Sequence, residues 1–111
     1  MTRNQRAAQL WSLLALAARN QEVLSYEMIG ELTGLNKKGL GPYLGPIQNY
    51  CIRKKLPPLT AIAILKATGL PGDGFIGAQD VLPAQNRVFV YNWLSHKAPS
   101  PDDFTQAAGI E

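Results

Sequence analysis

Leu24-Ser25-Tyr26-Glu27-Met28-Ile29-Gly30-Glu31-Leu32-Thr33-Gly34, followed shortly by Gly41-Pro42-Tyr43-Leu44, decides the fold. Ser25 stands where a hydroxyl caps a helix, and Glu27 suits the positive first turn. Gly34 fits the left-handed position that ends such a helix. Ile29 and Leu32 face inward, with Met28 beside them. Pro42 suits the first turn of the next helix, where its missing N–H costs nothing. Leu44, Ile47 and Cys51 share one face there, with Gln48 at its edge. Pro46 is tolerable close to the helix start. Arg53-Lys54-Lys55 suits the negative C-terminal end, and Pro57-Pro58 stops the helix.

Upstream, Arg3 to Asn20 carries Ala7, Leu10, Trp11, Leu14, Ala15 and Ala18 at helical spacing, with Asn20 as the stop. Downstream, Thr60-Ala61-Ile62-Ala63-Ile64-Leu65 is short, apolar and partly β-branched, which predicts a buried strand. Lys66 to Gly77 holds Pro71 and glycines 69, 72, 74 and 77, the composition of a long turn or the tip of a wing. Val81 to Ser95 reads as helix, with Ala84, Val88, Tyr91 and Leu94 or Val81, Val88, Phe89 and Trp93 as its stripe. Arg87 to Tyr91 alone would suit a strand. Ser100-Pro101-Asp102-Asp103 starts a last short helix, with Phe104 and Ala107 inside and Gly109 at its end. Three helices, a strand and a glycine-rich turn are the order of a winged helix. The expectation is an α+β, mostly helical chain: one domain over 1–111, with a winged-helix core over 1–77 and a C-terminal helical extension over 78–111.

The chain has 111 residues, 46% of them hydrophobic and 17% charged, which argues for a packed domain and against wholesale disorder. One cysteine excludes an internal disulfide, and one Cys with one His makes a poor zinc set. No metal and no cofactor is expected. No apolar run approaches the roughly 20 residues of a membrane span. Ala7 to Ala18 imitates a signal peptide, but Trp11 and Ser12 interrupt it, and the expected location is cytoplasmic. The net charge of +3 is uneven. Residues 1–55 carry eight basic against three acidic side chains, and residues 56–111 three against five. A basic half permits a polyanionic partner.

Leu10 to Phe75 resembles the DNA-binding domain of O6-alkylguanine-DNA alkyltransferases and alkyltransferase-like proteins. The landmarks are Leu10-Trp11-Ser12-Leu13-Leu14, the Ser25-Tyr26-led helix, Leu56-Pro57-Pro58-Leu59-Thr60, and Gly69-Leu70-Pro71-Gly72-Asp73-Gly74-Phe75. The resemblance covers about 65 of the 111 residues. It implies a winged helix and DNA as partner. Two departures matter. Active members carry Pro-Cys-His-Arg where this chain has about Thr60-Ala61-Ile62-Ala63, so no thiolate nucleophile is available for alkyl transfer. The family's arginine at the start of the recognition helix, which fills the space left by a flipped base, is also missing. Pro42 or Tyr43 lies nearest to it.

The leading expectation is a non-enzymatic binder of double-stranded DNA, with a regulatory or a phage- or defence-related accessory role. Lys37, Lys38, Arg53, Lys54, Lys55 and Lys66 are the candidate phosphate contacts, and Asn36 and Tyr43 the candidates near the bases. Each cluster also suits a solvated turn or a compensated helix end. Cys51 reads as a buried, inert thiol, and His96 has no catalytic companion. The alternative is a protein-interaction module, a homodimer or partner binder, whose DNA surface has decayed. Phe89, Tyr91 and Trp93 would then form the interface.

Overall fold

The computed structural model describes residues 1–72, 75–76 and 80–108. Helix α1 runs Arg3–Arg19. Thr2 and Gln5 cap it reciprocally, each side chain taking the other's backbone N–H, and Asn20 closes it. Its apolar stripe is the one the spacing predicts: Ala7, Leu10, Trp11, Leu14, Ala15 and Ala18 are all buried. Strand β1, Leu24–Ser25, leads directly into α2, Tyr26–Thr33. The Met28 N–H donates to the Ser25 hydroxyl at 3.1 Å. Gly34 takes a φ of 78° at the helix end, as its position requires.

The inward face of α2 differs from the expected one. Leu32 and Met28 are 55% and 45% exposed. Tyr26, Ile29, Gly30 and Thr33 form the inward row instead, at positions i, i+3, i+4 and i+7. Thr33 is tolerated inside because its hydroxyl donates to the Ile29 carbonyl at 2.7 Å and accepts the Leu35 N–H. Gly30 allows the following turn to close over the helix: a Cβ there would lie 2.9 Å from the Leu35 carbonyl oxygen. Gly30→Ala is therefore expected to lower stability by about 1–2 kcal/mol, read as a lower urea midpoint with an unchanged slope. A gain of about 1 kcal/mol, the helix-propensity effect alone, would show that the turn gives way freely.

A 3-10 turn at Lys37–Gly39 and the buried Leu40 lead to α3, Gly41–Arg53. Its core face holds Leu44, Ile47, Tyr50 and Cys51, so Tyr50 joins the expected set. Pro42 lies in the first turn, and Pro46 is accommodated inside the helix.

The strand expected over 60–65 is mostly a 3-10 turn. Leu59–Ile62 forms that turn, and only Ala63–Ile64 is strand, β2, which pairs in parallel with β1. The segment is buried as expected, but its polar backbone groups are met differently. The Ala61 N–H donates to the Pro58 carbonyl, and the Gln85 side chain donates to the Ala61 carbonyl at 2.9 Å. Among the described residues no strand returns alongside β2, whose partner is β1. The chain turns back at Leu65, whose N–H donates to the Leu70 carbonyl. Positions 73, 74 and 77 of the expected wing lie outside the described residues, as does Gly109.

Helix α4, Val81–Val90, is shorter than the predicted helix over 81–95. The Trp93 indole N–H donates to the Val88 carbonyl at 2.8 Å, so a last-turn acceptor is used by a side chain. The chain leaves the helix at Tyr91, makes a 3-10 turn at Trp93–Ser95 and enters α5, Pro101–Ala108. Ser100 and Asp103 cap α5 reciprocally. The result is an α+β, mostly helical chain in which α1 packs against α3, α4 and α5. Trp11 stands at its centre, with ring centroids 5.4 Å from Tyr50 and 5.5 Å from Trp93, both edge-on. Among the described residues no helix is long and apolar enough to cross a membrane.

Candidate nucleic-acid interface

Three of the predicted basic residues come together. Lys37 and Lys38 belong to the turn before α3, where the Asn36 side-chain oxygen accepts the Lys38 N–H at 2.9 Å. Lys66 arrives from the loop after β2. The three lysines, with Tyr26, Glu27 and Leu65, line one open groove. Glu27, in the first turn of α2, lies among them. Lys37 Nζ donates to Glu27 Oε1 at 3.3 Å, and Lys66 Nζ lies 3.6 Å from Glu27 Oε2. The Lys37 hydrogen bond and charge, then the Lys66 charge, hold the Glu27 carboxyl below its ordinary value.

Tyr26 is also a wall of a neighbouring cleft of about 80 Å³. Gly41 and Gly45 line that cleft from α3 without side chains to fill it, while Phe75 and Gly72 border it from the loop. Gly72 lies so near that a Cβ on it would meet the Tyr26 hydroxyl at 2.7 Å. Gln48 ties the loop to α3: the Ile76 N–H donates to its side-chain oxygen at 2.8 Å. Thr60 also lines the cleft. It is 5% exposed, and its hydroxyl is the buried side-chain polar atom without a hydrogen-bond partner among the described residues.

The other predicted contacts lie elsewhere. Arg53, Lys54 and Lys55 sit at the far end of α3, roughly 20 Å along its axis from Lys37 and Lys38. Lys54 Nζ stands 6.0 Å over the Tyr50 ring. Its charge and that of Lys97 act on Asp103, whose carboxyl is lowered chiefly by the Ser100 backbone N–H. Asn36 spends its oxygen on the turn. Tyr43 is half-buried and packs against the core, with Leu44, Ile47 and Tyr50 on the same side of α3. The outward strip of α3 is made instead of Gly41, Pro42, Gly45, Asn49, Ile52 and Arg53.

No protein family, curated protein or solved structure matches this chain.

The alternative interface divides as well. Trp93 is 2% exposed and belongs to the core, so it presents no surface ring. Phe89 and Tyr91 are half-buried, the Tyr91 ring 4.6 Å from Trp93. Leu82 and Val90 of α4 and Leu94 just after it are exposed apolar side chains.

Tyr26, Thr60 and Phe75, which the sequence offers only as landmarks of the resemblance, and Glu27, to which it gives no binding role, line the groove and the cleft. Glu27 was fully explained as a first-turn acid, and nothing in the spacing places Lys66 opposite it. Among the described residues no group of three or more His, Cys, Asp or Glu could hold a metal. Cys51 is 1% exposed, and burial pushes its thiol up to about 11. A thiol-specific maleimide is expected to label Cys51 only on unfolding, in step with urea denaturation. Rapid labelling of the native protein would contradict its place in the core.

Proposed function

We infer that the chain is a non-enzymatic binder of double-stranded DNA, built on a winged-helix-like arrangement of α1, α2 and α3. The observation that carries this reading is the convergence of Lys37, Lys38 and Lys66, from two distant segments, on one exposed groove. They would meet the phosphate backbone, while the small residues of α3 permit close approach to a groove of the duplex. The cleft beside them, about 80 Å³ between Tyr26, Gly72 and Phe75, is too small for a nucleobase, so the reading rests on the groove and assigns the cleft no base. Thr60 stands in that cleft, and the chain's one thiol lies on the core face of α3. Binding without alkyl transfer follows.

The test is fluorescence anisotropy of a labelled duplex of about 20 base pairs over a salt series, long enough to cover the site. Three phosphate contacts predict a slope of log K against log salt near −3. No binding at low salt would remove the reading. A second reading, a protein-partner surface, is favoured by the exposure of Val90 at 81% and Leu82 at 71% on α4. Self-association in analytical ultracentrifugation, abolished by Val90→Lys, is what that reading requires.

A further inference from the structure

The groove holds an anion of its own. The two oxygens of Glu27 each face one ammonium, Oε1 toward Lys37 at 3.3 Å and Oε2 toward Lys66 at 3.6 Å. The three side chains come from α2, from the turn before α3 and from the loop after β2, and Lys38 lines the same groove. A phosphodiester also presents two anionic oxygens from one centre. The groove is open, and Lys66 is 74% and Lys37 51% exposed at the side chain, so both ammonium groups are free to turn outward. An exposed ion pair of this kind is weakly held and exchanges partners readily.

The geometry points to Glu27 as a built-in competitor for the phosphate backbone: it occupies Lys37 and Lys66 in the free protein and sets how tightly the groove holds DNA. This rests on the DNA-binding reading above. A phosphate entering the groove must draw both ammonium groups from Glu27 and remain close to its negative charge. Glu27 thereby weakens binding to any phosphate backbone and leaves a larger share of the discrimination to contacts with the bases. The opposite role is equally concrete. If Glu27 served to orient the lysines toward DNA, its removal would weaken binding. The sign of one substitution separates the two.

The experiment compares the wild-type chain, Glu27→Gln and Glu27→Asp on the same labelled duplex over the same salt series. Glu27→Gln keeps the shape and removes the charge. It is expected to bind about tenfold more tightly at low salt, from loss of one like charge within a few ångströms of a phosphate. Its salt slope should steepen by about one, because one more net positive charge meets the backbone. Glu27→Asp keeps the charge and should stay within about twofold of wild type. Glu27→Ala is the second neutral variant, read in the same way should Glu27→Gln lose its fold by circular dichroism. Equal or weaker binding by the neutral variants, with clear binding by wild type, overturns the competitor role and leaves the DNA reading standing. Binding by neither wild type nor the neutral variants at low salt overturns both.

Discussion

Trp11→Ala is expected to cost about 3–5 kcal/mol, the range for removing a buried indole. A domain of this size has a net stability of about 5–15 kcal/mol, so the variant loses between a fifth of its stability and nearly all of it. The reason is position. Trp11 is 1% exposed on the central helix, and its ring meets Tyr50 of α3, Trp93 after α4 and Phe104 of α5. Removing it opens a void where three later segments meet α1. Tyr50 holds His96 by a hydroxyl–Nε2 hydrogen bond of 3.1 Å, so the loosened centre should also free the link into α5. Urea denaturation followed by circular dichroism measures the loss, and a fall in melting temperature of roughly 15 °C or more is the matching thermal result. Trp11→Phe should retain part of the edge-on contacts and lose distinctly less. A Trp11→Ala variant within about 1 kcal/mol of wild type would show that the aromatic centre does not organise the fold.

The second large effect concerns binding. Lys37→Ala, Lys38→Ala and Lys66→Ala combined should weaken duplex binding on the order of 100-fold at low salt and leave the salt dependence nearly flat. The same three substitutions at Arg53, Lys54 and Lys55 should change affinity only severalfold. Both sets remove the same formal charge, so a general loss of basicity would weaken binding equally. The difference comes from placement. Lys37, Lys38 and Lys66 line one groove, whereas Lys54 lies over Tyr50 and within the field of Asp103. Equal losses from the two sets would mean that charge alone, and no particular surface, attracts the polyanion. Urea midpoints near wild type are expected for both sets, because exposed lysines contribute little to folding.

Local chemistry made much of this fold legible. The Ser25 cap, the Gly34 stop and the reciprocal Ser100–Asp103 cap are each set by residues within one helical turn, and the α1 stripe by spacing within one helix. The misreadings share a cause of longer range. Thr60 to Leu65 has the composition of a strand, but Gln85, from a helix two elements later, supplies a hydrogen bond that a ladder would have supplied. Val81 to Ser95 carries two helical stripes, yet the Trp93 indole turns back to the Val88 carbonyl and into Trp11, and the helix ends first. On α2, Thr33 displaces Leu32 from the inward row because its hydroxyl finds a backbone acceptor one turn back.

The candidate site was less legible. Composition located the basic half of the chain, but not which of its charges share a surface. Six residues formed one candidate set by sequence, and three of them meet in the groove. The grouping depends on the parallel pairing of β1 with β2, which brings Glu27 at the start of α2 beside Lys66 in the loop that follows β2. That pairing joins segments nearly forty residues apart, Leu24 with Ala63 and Ser25 with Ile64. Thr60, from the 3-10 turn, and Phe75, from the loop after β2, meet in the cleft although they lie fifteen positions apart in sequence.

The most direct test is a map of amide chemical-shift changes in the labelled protein as a 20-base-pair duplex is added at low salt, that length matching the salt-series probe. The account predicts changes centred on Tyr26 and Glu27, on the Asn36–Gln48 stretch and on the Leu65–Gly72 loop. Residues Ile52–Lys55 and helix α4 should stay close to their free positions. Changes confined to Arg53–Lys55 or to Leu82–Leu94, or none at a protein concentration well above micromolar, would contradict it.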